Sequence, residues 1–348
     1  MLKTLSLLTC LSLLSLTQLA CEKPHQTYQH SSLHFGTLID ITLYDVTEAQ
    51  ADAAFKQLDA DFTMMHAAWS PWVASSINRA NILLKTGAAF SAGPSILALL
   101  KKSRSIADKT DNLFNPAIGE LINLWQMHKS EDPDIQPPNK DAIARLIKSN
   151  PRLSDITIKG VKISTSNTDV SLNFGAFAKG HAIDLEIAML KNLGIKNAII
   201  NTGGDLKAIG AHGDRPWRIA IQHPRKDTWL AKIETQTDES IFTSGDYERY
   251  YMFEGKRYHH ILDPRTGYPA QGVQSVTVIH TDSGYADAAA TALFIAGPND
   301  WLQLAKKLQL KQVMLIDDKG IVHVSPAMKK RLSFNSQIET TILTTTAL

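Results

Sequence analysis

The stretch from Ile241 to Gly272, IFTSGDYERYYMFEGKRYHHILDPRTGYPAQG, concentrates the chemically useful side chains of this chain. Its first part, Thr243–Tyr247, places two hydroxyls and a carboxylate around a glycine, where backbone amides can approach a ligand closely. Its second part, His260–Gly267, offers an imidazole, a carboxylate and a guanidinium on a turn stiffened by proline. Each part alone is typical of an ordinary polar hairpin. The two together indicate a ligand site between two β-rich runs.

Length and charge exclude several classes of protein. The 348 residues can bury one large core or two modest ones, and 44% hydrophobic content is ordinary for a globular protein. With 36 basic and 34 acidic residues the net charge is only +2, and no basic stripe is interleaved with aromatics. We therefore expect no nucleic-acid partner. No repeat or linker follows residue 30, which predicts one domain over 33–330 and a C-terminal tail over 331–348.

The N-terminus has the pattern of an export signal. A basic start followed by a short Leu-, Ser- and Thr-rich run predicts a signal peptide over 1–20. Leu19-Ala20-Cys21 resembles the lipobox of bacterial lipoproteins, although Gln18 stands where that motif usually has Leu. Ordinary cleavage nearby is the alternative. The other cysteine, Cys10, lies inside the signal, so we expect lipidation at Cys21 and a lipid-anchored tether over 21–32.

Periodicity along the rest of the chain predicts a mixed α/β (α+β) fold. A strand–helix–strand unit with glycines at both turns suits a phosphate near a helix N-terminus. The predicted helices are Glu48–His66, Gly93–Thr110 with Ser95 as N-cap, one after Gly175–Gly180, and Tyr285–Ile295 stopped by Gly297-Pro298. The predicted strands are Leu33–Tyr44, Val170–Asn173, Ala198–Ile200, Trp217–Gln222, Lys232–Thr237, Gln274–Ile279, Leu310–Ile316 and Gly320–Val324.

Asp287 and Thr291 stand four residues apart on the predicted Ala-rich helix, so they share one face. A carboxylate and a hydroxyl are the hard oxygen donors that Mg²⁺ accepts alongside waters and phosphates. The alternative is a tightly packed helix with an aspartate near its N-terminus, which favours the helix dipole. No cysteine cluster offers a competing soft-metal site.

Several separated segments together resemble the ApbE family, the FAD:protein FMN transferases. Its pattern TSGdYerf…GkrYsHIiDPrTGyP matches the central stretch, and further segments match over most of Leu33–Val324. The further segments are Phe35-Gly36-Thr37, Trp69–Asn81, Leu113–Trp125, Phe174–Gly180, Asn201–Asp205 and Ala286–Thr291. The chain departs from the pattern at Asn115 and Asn173, where the family usually has Asp, and at Ala290, where some members have a further acidic ligand.

The resemblance implies a fold, a substrate and site residues. The implied fold has antiparallel or mixed sheets flanked by helices. His260 would be the catalytic base, Asp263 would orient it, and Lys179 or Arg265 would add positive charge at the pyrophosphate. Mg²⁺ would be held by Asp287, Thr291 and the backbone carbonyl of Ala176. FAD, bound as substrate, would contact Phe35, Trp72 (or Trp69), Leu113, Phe114, Asn115, Asn173, Lys179, Thr243, Ser244, Gly245, Leu262 and Arg265.

The implied reaction is attack by a target protein's threonine hydroxyl on the FMN phosphorus of FAD, with release of AMP. The implied partner is a flavin-accepting redox membrane protein on the periplasmic side of the bacterial inner membrane. Two alternatives remain open. One is a Mg²⁺-dependent FAD pyrophosphatase, in which water replaces threonine. The other is a flavin carrier without catalysis, which Asn115 and Asn173 favour, while His260 and Asp287 favour an enzyme.

Overall fold

The structure, a computed structural model, describes residues 26–348, so the predicted signal peptide and Cys21 lie outside the described residues. Within that range the α-helices are α1 Glu48–Trp69, α2 Ser76–Leu84, α3 Pro94–Lys109, α4 Gly119–Trp125, α5 Lys140–Ser149, α6 Ala178–Asn192, α7 Ser283–Lys307 and α8 Pro326–Lys329. The strands are β1 Thr27–His34, β2 Thr37–Tyr44, β3 Phe90–Ser91, β4 Ile156–Lys159, β5 Lys162–Thr165, β6 Asn197–Thr202, β7 Asp205–Ile209, β8 Arg218–Gln222, β9 Trp229–Glu234, β10 Glu239–Gly245, β11 Tyr250–Phe253, β12 Lys256–His259, β13 Val273–His280, β14 Gln312–Asp317, β15 Val322–Val324, β16 Leu332–Phe334 and β17 Ile342–Thr344. The prediction of a mixed α/β fold is confirmed.

Nine of the described strands form one sheet in the order β1-β2-β6-β7-β10-β13-β14-β15-β17. All neighbours in it are antiparallel except β15 and β17, which are parallel. Seven of the eight residues of β13 are buried, because both faces of the sheet are covered there. Helices α6 and α7 cover one face, and a small sheet of β16, β9 and β8 packs on the other.

Helix α7 approaches the sheet and α6 closely because its first half is built from small residues. Ala286, Ala288, Ala289 and Ala290 are all fully buried. On α6, a Cβ added to Gly180 would lie 2.3 Å from the carbonyl oxygen of Ser283, so only glycine fits there. The predicted stop at Gly297 is a kink, because that glycine has a φ of +79° and the chain then continues as helix to Lys307.

A second, smaller hydrophobic cluster packs against the stretch from Ile241 to Gly272. Helices α4 and α5 pack there against the β11–β12 hairpin, with Trp125 fully buried between them. The indole Nε1 of Trp125 donates a hydrogen bond to the Gly267 carbonyl at 2.8 Å. This contact joins α4 to the end of the His260–Gly267 turn.

The N-terminal prediction needs two corrections. The predicted strand Leu33–Tyr44 is a hairpin of β1 and β2, turned at Phe35 and Gly36, which have φ values of +53° and +71°. Strand β1 already begins at Thr27, so residues 27–32 do not belong to the tether. Alternate side chains of β1 pack on α1, including His30, whose Nε2 lies 2.8 Å from an Asp59 carboxylate oxygen.

Other boundaries also differ from the prediction. The predicted strand Val170–Asn173 is only an isolated bridge at Ser171, and α3 begins at Pro94 with Gly93 as N-cap in place of Ser95. Residues 331–348 are not a free tail, because β16 joins the small sheet and β17 joins the large one. Over residues 26–348 the helices are too short or too polar to cross a bilayer.

Candidate active site

Helices α6 and α7 bring a lysine and two aspartates together beside the end of β10. Lys179 on α6 forms an ion pair with Asp205 at the start of β7. The other carboxylate oxygen of Asp205 accepts a hydrogen bond from the Thr243 backbone N–H at 2.9 Å. Asp287 on α7 is 5% exposed and accepts a hydrogen bond from the Gly180 N–H at 3.2 Å. Four segments distant in sequence, α6, β7, β10 and α7, therefore meet at one cluster.

Charges within this cluster strongly perturb one another. Burial raises the pKa of Asp287 to about 8, with Asp205 and Glu248 adding to the rise and Lys179 opposing it. Burial alone would lower the pKa of Lys179, but Asp205, Glu248 and Asp287 together hold it above its ordinary value. The lysine therefore stays charged. Near neutral pH burial keeps a proton on Asp287, and a divalent cation would bind there by displacing that proton.

The predicted metal ligands are hard oxygen donors of the kind that Mg²⁺ accepts. The Gly180 N–H bonds to Asp287, whereas the α-helical pattern would direct it to the Ala176 carbonyl four residues earlier. That carbonyl oxygen is therefore available as a ligand. Thr291 lies one turn from Asp287, and its hydroxyl is 3.1 Å from that of Ser244. Within residues 26–348 no group of three or more His, Cys, Asp or Glu could hold a metal, so phosphates or waters would complete this oxygen-rich set.

His260 stands beside this cluster as a neutral imidazole. Its Nδ1 lies 3.3 Å from the Arg249 carbonyl oxygen, which can only accept, so Nδ1 carries the proton and Nε2 is free to take another. Burial, helped by the charges of Arg249 and Lys179, lowers the pKa of His260 to about 3. The residue as a whole is half-buried. Its neighbour His259 is buried and bonds through Nε2 to the Ala270 carbonyl at 2.8 Å, as expected for a scaffold residue.

The predicted role of Asp263 as the group that orients His260 is wrong in this structure. Its carboxylate accepts hydrogen bonds from the backbone N–H and the guanidinium of Arg265, two residues ahead. This short Asx turn uses the acceptors that would otherwise reach back to the imidazole. Arg265 also bonds to the Ile295 carbonyl and is neutralised by Asp263. Lys179 lies in the charged cluster with Asp205 and Asp287, whereas Arg265 is paired with Asp263, and the Arg249 carbonyl orients His260.

The predicted flavin contacts separate into partly exposed and buried residues. Phe35 is half-buried at the tip of the β1–β2 hairpin, and Leu113 is half-buried as well. Trp72 is 40% exposed and stacks on His128 at 4.0 Å between ring centroids, whereas Trp69 is buried behind Phe35. Phe114 and Leu262 are buried among apolar neighbours, so neither presents an exposed surface to a ligand in this structure.

The two asparagines that replace the usual family aspartates have different surroundings. Asn115 is 8% exposed, its Nδ2 donates to the Pro151 carbonyl at 2.9 Å, and its Oδ1 accepts from the Ala117 N–H at 3.0 Å. An ionised carboxylate could not donate the first of these bonds, which explains the amide. Asn173 only accepts, from the Gly175 N–H at 2.9 Å, and nothing in the structure requires an amide there.

The prediction of individual site residues omitted two groups. Asp205, the fifth residue of the Asn201–Asp205 segment, connects Lys179 to Thr243. Glu248 directly follows the Thr243–Tyr247 segment, and burial raises its pKa to about 7, with Lys179 opposing the rise. Asp205 ends one glycine-containing polar segment of the sequence, and Glu248 directly follows another. Their position in or beside those segments was the available signal.

Comparisons with known proteins match this chain to one family. A family model described as the ApbE family matches residues 35–315. A FAD:protein FMN transferase of Rhodobacter capsulatus is 38% identical over 299 residues, which cover 86% of this chain and 57% of that longer relative. One from Vibrio cholerae is 30% identical over 331 residues, covering 92% of this chain and 98% of the relative.

Solved structures show the same fold. The ApbE protein of Thermotoga maritima superposes with a TM-score of 0.81 at 26% identity, covering 88% of this chain and 99% of that one. The structure described as flavin transferase ApbE from Vibrio cholerae gives 0.77 at 26% identity, covering 88% and 100%.

Proposed function

The chain belongs to the ApbE family, and we propose that it is a Mg²⁺-dependent transferase that moves FMN from FAD to a threonine hydroxyl of a target protein. The observation that carries the proposal is the meeting of Lys179, Asp205 and Asp287 with the neutral imidazole of His260. These groups supply positive charge, hard oxygen ligands and a proton acceptor. A transfer that splits a pyrophosphate needs all three.

In the proposed reaction, different residues of this chain bind the phosphates and accept the proton of the acceptor threonine. Lys179 binds phosphate oxygens, and the Arg249 carbonyl holds His260 with Nε2 free. The hydroxyl proton of the acceptor threonine passes to Nε2 as its oxygen bonds to the FMN phosphorus. The bond from that phosphorus to the AMP oxygen breaks, and AMP leaves with the electron pair. Mg²⁺ bound by Asp287, Thr291 and Ala176 would neutralise charge on the pyrophosphate.

One experiment separates the proposed transferase from the two alternatives. Purified protein is incubated with FAD, Mg²⁺ and a flavin-accepting domain of a redox protein, and AMP and protein adducts are measured by chromatography and mass spectrometry. We expect one FMN adduct on threonine for each AMP released. AMP released at the same rate without an acceptor, and with no adduct, would indicate a pyrophosphatase. FAD binding with no AMP under either condition would indicate a carrier.

His260→Ala tests the base in the same assay. We expect AMP release and adduct formation to slow together by roughly 10²-fold, the lower end of the usual contribution of a positioned base, because its lowered pKa makes His260 a weak proton acceptor. His259→Ala is the control, because it removes the neighbouring imidazole and leaves His260 in place. It also removes the hydrogen bond to the Ala270 carbonyl, so thermal unfolding is used to check that this variant folds. An unchanged rate in a folded His260→Ala protein would remove the base from the proposal.

We also propose that Cys21 carries a lipid and holds the protein on the periplasmic side of the inner membrane. Thr27 begins β1, so only residues 22–26 separate the two. Extended, that segment reaches about 20 Å, which would keep the domain near a membrane-bound acceptor. Cys21→Ser should release the protein from the membrane fraction or block its maturation. An unmodified mature N-terminus downstream of Cys21 would contradict this.

A further inference from the structure

Four aromatic rings form a stacked column that runs from the β1–β2 hairpin to the start of α6. Phe35 stacks on Trp69 with centroids 6.2 Å apart and planes 19° apart. The same Trp69 stacks on His181 at 5.9 Å and 20°. His181 then stacks on Phe177 at 5.7 Å and 19°. We call this set, Phe35, Trp69, His181 and Phe177, the ring column.

The hairpin end of the ring column is held in an unfavourable conformation. Phe35 has a φ of +53°, which bulky residues rarely adopt. Its backbone N–H donates to His66 Nδ1 at 2.8 Å, and its ring meets Phe62 edge-on at 6.3 Å. Strain of this kind persists where the surroundings over-determine it, commonly at ligand contacts. The packing therefore fixes where the Phe35 ring sits.

The other end of the ring column lies at the helices of the charged cluster. Phe177 immediately follows Ala176 and precedes the first turn of α6, which carries Lys179. A Cβ added to Gly284 at the start of α7 would lie 2.9 Å from the Phe177 ring, so the ring presses directly on the α7 backbone. The column thus ends where α6 and α7 present the predicted metal and phosphate ligands.

His181 is the polar member in the middle of the ring column. It is 4% exposed, and its Nδ1 lies 3.3 Å from the Lys102 ammonium, so Nδ1 acts as an acceptor. Burial lowers the pKa of His181 to about 4, with Lys102 adding to the effect, so the ring is neutral near pH 7. A neutral ring fills this place without placing a second positive charge beside the lysine.

We propose that His181 is a positioning residue that fixes the separation between the Phe35–Trp69 end and the Ala176–Lys179 turn, so that both ends of FAD bind at once. The inference rests on the proposed function, because it takes Phe35 as a flavin contact and Lys179 as a phosphate contact. Two linked contacts strengthen binding only when their spacing matches the ligand. Loss of this spacing should weaken the binding of FAD more than the binding of a ligand that carries only its flavin part or only its pyrophosphate part.

The test measures dissociation constants by titration calorimetry with Mg²⁺ present, using FAD, riboflavin for the flavin end and ADP for the pyrophosphate end. In His181→Ala we expect the FAD constant to rise about tenfold or more, while those for riboflavin and ADP change less than about threefold. His181→Phe keeps a ring and should restore FAD binding to within about threefold. Lys102→Gln, which keeps the imidazole of His181, is the matched control. It should leave the dissociation constants for FAD, riboflavin and ADP within about threefold of those of the unchanged protein.

Two results would overturn the proposal. One is an unchanged FAD constant in a folded His181→Ala protein, which would reduce the ring column to core packing. The other is an equal loss for FAD and for riboflavin alone, which would indicate a local flavin contact. If His181→Ala does not fold, His181→Leu fills the same place without an aromatic ring, and the same pattern is required of it. Absence of an FMN adduct in the transfer assay would refute the proposed function and leave this binding pattern intact.

Discussion

Replacing Asp205 with asparagine keeps the side-chain size and removes one negative charge from the centre of the charged cluster. Asp205 is paired with Lys179, and their side chains are only 7% and 19% exposed, so solvent screens the pair weakly. Losing one partner of a buried pair costs about 3–5 kcal/mol, because the other charge stays buried. Glu248 and Asp287 still face Lys179 and compensate in part. We therefore expect the free energy of unfolding to fall by about 3 kcal/mol, the lower end of that range.

A surface pair provides the control for this prediction. Lys191 and Asp238 are 2.5 Å apart, but their side chains are 47% and 44% exposed. Asp238→Asn should therefore lower the free energy of unfolding by at most about 1 kcal/mol. Urea unfolding of both variants and the unchanged protein, in metal-free buffer, measures the difference. If Asp205→Asn is no more destabilising than Asp238→Asn, burial does not govern the strength of this pair and our account of the cluster is wrong.

Three further predictions concern a buried acid, the C-terminal segment and the metal. Burial raises the pKa of Glu186 to about 8, with Asp61 adding to the rise. Between about pH 5 and pH 8 the native protein therefore keeps a proton that the unfolded chain releases. The free energy of unfolding should fall over this range as the pH rises, by up to about 1.4 kcal/mol per pH unit. Glu186→Gln should flatten this slope in urea unfolding, and an identical slope would contradict the assignment. Arg331 donates to both carboxylate oxygens of Glu239, and its side chain is 11% exposed. Arg331→Ala should therefore lower the free energy of unfolding by about 3 kcal/mol in the same measurement. A loss under about 1 kcal/mol would indicate that residues 331–348 are a loose tail. Asp287→Ala should abolish Mg²⁺-dependent AMP release without lowering the thermal unfolding temperature, and full Mg²⁺-dependent activity in it would show that the metal binds elsewhere.

Elements with strong periodicity could be predicted from the sequence, and their junctions could not. Helix α1 follows from the regular spacing of its apolar residues. The hairpin turn at Phe35 does not, because its left-handed backbone would ordinarily indicate Asn or Gly. The segment around Ser171 has the apolar residues of a strand, but it pairs with its neighbour only through one isolated bridge, from Ser171 to Ile118. Sequence records the preference of a segment, whereas pairing depends on partners far away in the chain.

The site shows the same division. The spacing of Asp287 and Thr291 was readable because both lie on one helix. The pairing of Lys179 with Asp205 was not, since it joins a helix to a strand 26 residues away. The family resemblance implied that Asp263 orients His260, yet in this structure Arg265 donates to its carboxylate. Competition between nearby hydrogen-bond partners is settled by geometry, which residue types alone do not specify.

The order of the large sheet has a consequence for engineering this chain. Strands β1 and β17 are its two outermost members, so the ends of the described chain leave from opposite borders. With about 4.8 Å between neighbouring strands, those borders are roughly 40 Å apart, and a circular permutation would need a joining segment of at least about a dozen extended residues. A domain fused after Leu348 would begin beside β17, well away from the end that we propose is membrane-attached. Such a fusion offers a way to deliver a tethered acceptor without crowding it against the lipid surface.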